Sequence, residues 1–148
     1  MNPAQTKTWL FAARLVNVDR ICSEISAWLL EKDLSKHLFP LEMLTREAIN
    51  NAIIHGCRLN SDMQIRCELQ CHENMLRLKI NDDGPGFNWR AHIQEDTVAS
   101  YIEHGRGIKL YRFYADTVEF NERGNQVILI RLLKKDQPPA TLNKGERK

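Results

Sequence analysis

A chain of 148 residues with 43% hydrophobic side chains has the length of one domain and enough apolar material for a real core. Its 21 basic and 19 acidic residues leave a net charge of +2, too small to suggest a surface built for nucleic acid or anionic lipid. No charged-then-apolar leader opens the chain, and its apolar runs fall far short of the roughly 20 residues that span a bilayer. The expectation is a soluble, cytoplasmic protein with no membrane and no direct nucleic-acid partner.

The opening stretch TWLFAARLV, rich in aromatic and branched residues, predicts a strand that starts the sheet. From Asn17 to about Leu34, Val18, Ile21, Cys22, Ile25, Trp28 and Leu29 recur at three- and four-residue steps, predicting a helix with one buried stripe. Asn17 or Asp19 is its candidate cap. A second helix is expected from about Leu41 to His55, with Pro40 at its first turn and Gly56 just beyond its end.

The stretch MQIRCELQC alternates, with Met63, Ile65, Cys67, Leu69 and Cys71 on one face. LRLKIND alternates again after HEN, so the two predict a hairpin. The polar stretch from Asn88 to Glu103 has no clean period and reads as a lid or binding loop. A third helix follows GRG, carrying Ile108, Leu110, Tyr111 and Tyr114. Strands are expected at TVEF and QVILIRLL around a turn at NERGN. Residues 1–133 read as one domain, and the Pro-containing, charged segment 134–148 as a disordered tail. Cys22, Cys57, Cys67 and Cys71 form no CxxC pair; on one strand, Cys67 and Cys71 stand about 13 Å apart, too far to share an ion, so apolar filling is the expected role of all four.

Three short stretches carry the chemistry. In EAINNAIIHG, two asparagines interrupt a helix although Asn is a poor helix former. At about 100° per residue from Glu47, Asn51 falls near 40° and Asn50 near 300°, while Thr45, Ala48, Ile49, Ala52 and Ile53 occupy the opposite arc. Arg58 would fall near 20° if the helix reached that far. Glu47 and Asn51 therefore share one polar face, one turn apart, as a solvated surface or as part of a site.

In INDDGPGF, Asp82 has the strand parity of Leu76, Leu78 and Ile80 and points to the covered face, where a carboxylate needs a donor. An adenine amino group is one such donor, and Gly84 and Gly86 would let the backbone lie against a flat base. The plainer reading is a glycine-rich turn. In HGRGIKL, Gly105 and Gly107 stand at the expected start of a helix, where backbone N–H groups and the helix dipole suit phosphate. Five of the seven glycines fall at these three stretches.

The order ExxxNxxxHG, DxGxG, GxG resembles the N box and the two glycine boxes of the GHKL superfamily of ATPases and kinases. The boxes read Glu47-Asn51-His55-Gly56, Asp82-Gly84-Gly86 and Gly105-Gly107, and the resemblance runs from about Trp9 to Leu133. It implies a Bergerat-type ATP-binding fold, an α+β two-layer sandwich whose mixed, mainly antiparallel sheet is covered on one face by helices. Within the superfamily, EAxxNAxxHG looks most like the bacterial anti-sigma-factor serine/threonine kinases. That resemblance implies ATP and magnesium as cofactors, Glu47 as general base and Asn51 as magnesium ligand. It implies Asp82, Gly84, Gly86, Gly105 and Gly107 at the nucleotide, with Arg106 either on phosphate or solvated. One amide oxygen suffices for a metal that takes most of its ligands from phosphate and water.

Asn50 occupies a position the family does not fix. His55 reads as structural, with a supporting role near the site as the alternative. Trp89 and Tyr101 in the lid pack on nucleotide or, more simply, on the core. Where family members often carry Gly-Thr or Gly-Ser before the final strand, with the hydroxyl near the base-binding aspartate, this chain has Gly124-Asn125, whose amide could replace the hydroxyl's hydrogen bond.

The implied partners are a STAS-type antagonist protein as phosphorylation substrate and a sigma factor that the sequence does not name; the family suggests a homodimer. Two other readings stand beside the kinase: a non-catalytic ATP/ADP-dependent partner switch, and the ATP-binding part of a histidine kinase. Against the last, about 40 residues precede the N box, too few for a phosphoacceptor hairpin, and His37 sits near Pro40. Retention of Glu47 favours the kinase, since a pure binder has no use for a base.

Overall fold

The computed structural model describes residues 3–88 and 106–133. Strand β1 (Gln5–Ala12) leads to helix α1 (Asn17–Glu31), a 3-10 turn (Ser35–His37) and helix α2 (Leu38–Asn51), which runs without a break into a π-type turn (Ala52–Gly56). Strands β2 (Gln64–His72) and β3 (Met75–Asp82) form the hairpin. Helix α3 (Arg106–Tyr114) and strands β4 (Thr117–Phe120) and β5 (Gln126–Leu132) complete the described chain.

The five strands lie in the order β1-β2-β3-β5-β4, and every pairing among the described residues is antiparallel. Register places Trp9, Cys67, Ile80, Val127 and Phe120 in one cross-sheet row, and Leu69, Leu78, Leu129 and Val118 in the next. Both rows lie on the face that the helices cover. Leu69, Leu78, Ile21, Ile25, Leu29, Leu44 and Ile49 are all essentially inaccessible, each worth about 1.5 to 3 kcal/mol of transfer from water. The result is a two-layer α+β sandwich with the helices on one side.

Helix α1 buries the stripe expected of it, from Val18 to Leu29. Its start differs from expectation: no side chain caps it, because Asn17 turns its Nδ2 back to donate to the Ala12 carbonyl at 2.9 Å, and Asp19 Oδ1 accepts from Arg46 at 2.7 Å. Helix α2 begins three residues earlier than the sequence indicates. Pro40 still lies within its first turn, where a missing N–H costs no intrahelical bond.

The helix also ends differently. Gly56 lies inside the last turn rather than beyond it, because the backbone widens there and Cys57 N–H donates to Ala52 O at 2.7 Å. Arg58 and Leu59 follow with positive φ, 54° and 62°, so the helical wheel does not extend to Arg58. All four cysteines are thiols, with Cys22, Cys57 and Cys67 buried. No helix among the described residues is long and apolar enough to cross a membrane. The stretch read as a lid, with Trp89 and Tyr101, lies outside the described residues from position 89 on, as do Gly105 and the segment 134–148 read as a tail.

Candidate functional site

The covered edge of the sheet and helix α2 enclose a cleft of about 580 Å³, within the usual size of a cofactor site. Its floor carries Ile80, Val127 and Phe120 from the sheet, and its helical wall carries Glu47, Asn50, Asn51, His55 and Gly56; Phe87, Gly107, Tyr111 and Asn125 also line it.

Asp82 ends β3 at the level of Ile65 in the register, on the covered face, and only 7% of it is exposed. Its Oδ1 accepts from Gly84 N–H at 2.7 Å, and no donor among the described residues reaches Oδ2. Burial pushes the carboxyl up to about 6, opposed by the Gly84 hydrogen bond, raised further by Asp83 and lowered by Arg123. A buried carboxylate short of donors, opening on an apolar-floored cleft, suits a ligand N–H.

The glycines around it are demanded first by the protein's own backbone. A Cβ on Gly84 would come within 1.9 Å of the Gly56 carbonyl oxygen, and one on Gly56 within 2.5 Å of Asp82 Oδ2. Gly86 has φ +93°, and a Cβ there would meet the Arg123 carbonyl oxygen at 1.8 Å. Of the two readings the sequence offered for Gly84 and Gly86, contact with a flat base and a glycine-rich turn, the second has its physical ground here: closing the turn onto the α2 terminus and the β4–β5 loop already requires both glycines. The π-type widening of α2 brings the Gly56 carbonyl to this meeting point, as such turns often do at functional sites.

Asn125 is tied to the end of β3. Its Nδ2 donates to the main-chain carbonyl of Asp82 at 3.1 Å, while Asn121 Nδ2 donates to its Oδ1 at 2.6 Å. Each end of the amide thus makes one bond that holds the strand end, and Asn125 also lines the cleft. Asn121 Oδ1 gathers the N–H groups of Gly124, Asn125 and Gln126 and so shapes the loop.

At the other end of the cleft, α3 lies on α2. A Cβ on Gly107 would stand 2.9 Å from both Asn51 Nδ2 and Glu47 Oε2, so the glycine and the two polar side chains meet at one point. Asn51 Nδ2 donates to the Tyr111 hydroxyl at 3.1 Å. Burial pushes the Tyr111 phenol far above its usual range, with the Asn51 bond opposing and the Glu47 charge adding, so it stays neutral. A carboxylate and an amide oxygen are the donor types magnesium accepts. Among the described residues no group of three or more His, Cys, Asp or Glu side chains is placed to hold a metal ion.

Sequence similarity now adds to this geometry. Residues 11–131 match the family described as the histidine kinase-like ATPase domain. The chain belongs to that family. It is a member of the GHKL superfamily, and membership makes this an ATP-binding domain of the kinase and ATPase type. A comparison with curated proteins gives no match.

In the ATPase domain the structure brings together Glu47, Asn51 and Gly107 at one end and Asp82, Gly84, Gly86 and Gly56 at the other. Asn50 and His55 line the same cleft. Helix α3 starts at Arg106. Three lining residues escaped the sequence reading. Phe87 and Phe120 pack edge to face, ring centroids 5.8 Å apart, and Tyr111 was legible only as one member of an apolar stripe. The usable signals were Phe87 directly after the second glycine and a hydroxyl within that stripe.

Proposed function

We propose that this domain is a serine/threonine-protein kinase and anti-sigma factor of a cytoplasmic partner-switching pathway, which transfers phosphate from ATP to a STAS-type antagonist protein. The observation that supports a kinase over a passive binder is Glu47, a carboxylate in the cleft one turn from Asn51 and against Gly107.

In this reading Asp82 accepts the adenine amino group, and the triphosphate runs along α2 toward the first turn of α3. Asn51 would hold magnesium through its amide oxygen, and the ion supplies neutralisation of the phosphate charge. Glu47 takes the proton of the partner's hydroxyl as that oxygen bonds to the γ-phosphorus and the bond to the β–γ bridging oxygen breaks, releasing ADP. Gly107 admits the phosphates because no side chain stands between α3 and the Glu47–Asn51 pair. A histidine-kinase role finds no support in His37, which is buried and whose Nδ1 accepts from Arg131 Nε at 3.1 Å.

The deciding experiment replaces Glu47 by Gln. Nucleotide and partner should still bind, while transfer of radiolabelled phosphate to a serine or threonine of the cognate STAS-type protein falls by about 100- to 10,000-fold, the usual contribution of a positioned base. Wild-type protein that binds nucleotide and partner yet never transfers phosphate would overturn the kinase reading in favour of a non-catalytic switch.

A further inference from the structure

Helices α2 and α3 meet as two matching rungs. Glu47 and Asn51 stand one turn apart on α2, and Gly107 and Tyr111 one turn apart on α3. Gly107 faces both polar side chains of α2, whereas Tyr111 meets Asn51 through its hydroxyl. The positions flanking Tyr111 on the buried stripe of α3 are Ile108 and, just past the helix, Ala115, both buried. An apolar side chain would serve that stripe. A buried phenol costs free energy unless its oxygen finds a partner, and here the partner is the amide of Asn51.

From this we infer that Tyr111 is a positioning residue that fixes the rotamer of Asn51, so that the amide presents its oxygen, not its nitrogen, to a cation in the cleft. The inference rests on the proposed role of Asn51 as magnesium ligand. An asparagine amide has two nearly isosteric ends and a broad, two-fold terminal torsion. Presented nitrogen-first, it repels a cation; presented oxygen-first, it is a ligand. With the Tyr111 hydroxyl accepting from Nδ2 at 3.1 Å, the nitrogen faces α3 and Oδ1 is the polar end left for the cleft. The ring is itself held by burial, at 2% exposure, and by a tilted contact with Phe120, centroids 6.5 Å apart. Partners of this kind orient first ligands in metal sites generally.

The test is calorimetric binding of an ATP analogue with a non-hydrolysable β–γ bridge, in magnesium and in EDTA, for wild type, Tyr111→Phe and Asn51→Ala. Phenylalanine keeps the ring and removes only the hydroxyl, and thermal unfolding checks that each variant folds. Tyr111→Phe should lose about fivefold in affinity in magnesium, the worth of one neutral hydrogen bond, with no loss in EDTA. Asn51→Ala should show a larger loss, again confined to magnesium.

Wild-type affinity for Tyr111→Phe in magnesium, alongside a magnesium-specific loss in Asn51→Ala, would overturn the positioning role and leave the metal-ligand role standing. Equal losses for Tyr111→Phe in magnesium and EDTA would also overturn it, in favour of a purely structural hydroxyl. Absence of any magnesium-specific loss in Asn51→Ala would remove the reading on which the inference rests.

Discussion

Replacing Asp82 by Asn separates stability from binding, because the two should move in opposite directions. Burial lifts the Asp82 carboxyl from 3.8 to about 6, which corresponds to about 3 kcal/mol. Water in the open cleft screens part of this, leaving about 1 to 2 kcal/mol as the cost of the ionised group at pH 7. A raised acid binds its proton more tightly in the folded chain than in the unfolded one. Its contribution to stability is therefore fully present below about pH 4 and is lost as pH rises through about 6.

The substituted amide would keep an oxygen for Gly84 N–H and carry no charge. The empty variant should gain about 1 to 2 kcal/mol over wild type at pH 7 and nothing near pH 4. Affinity for ATP should fall. The new NH₂ would face the adenine amino group donor to donor, and a hydrogen bond to a charged acceptor is worth roughly 1.5 to 3 kcal/mol, one to two decades in affinity. Chemical denaturation at both pH values gives the stability arm, and calorimetry with ATP at pH 7 the binding arm. Unchanged ATP affinity in the folded variant would remove Asp82 from the nucleotide site. A variant less stable than wild type at pH 7 would refute the account of its burial.

Two further outcomes test the packing around the cleft. Gly107→Ala should raise the intrinsic helix propensity of α3 by about 1 kcal/mol yet weaken nucleotide binding, since the added Cβ would stand 2.9 Å from both Asn51 Nδ2 and Glu47 Oε2; unchanged affinity by calorimetry would count against phosphate passing this point. Leu59→Gly should stabilise the fold by up to about 1 kcal/mol in denaturant, because Leu59 is exposed and held at φ 62°, a region that costs a branched side chain about that much; a loss instead would mean that its side chain contributes packing the exposure does not reveal.

Much of this protein is set by local pattern. The α1 stripe from Val18 to Leu29, the alternation of β2 and β3, and the inward parity of Asp82 follow from the periods of helix and strand, and these periods do not depend on what packs against them. The ordered boxes around Glu47, Asp82 and Gly107 were legible for the same reason: each chemistry needs particular residues at short spacing. What the sequence left open depended on contacts between segments far apart in the chain. The widening of α2 at Ala52–Gly56 has no local sign. Its counterpart is the Gly84 turn, which lies so close that a Cβ would strike the Gly56 carbonyl. Asn17 looks like a cap in isolation but bonds back to Ala12. Asn125 stands where family members carry a hydroxyl, and only the packing shows its amide bonded to Asn121 and to the main chain of Asp82. Tyr111, 60 residues from Asn51, reads as one more apolar position until α3 is laid on α2. Periodicity says which face of an element is buried; only the packing of one element on another decides which polar atoms meet there.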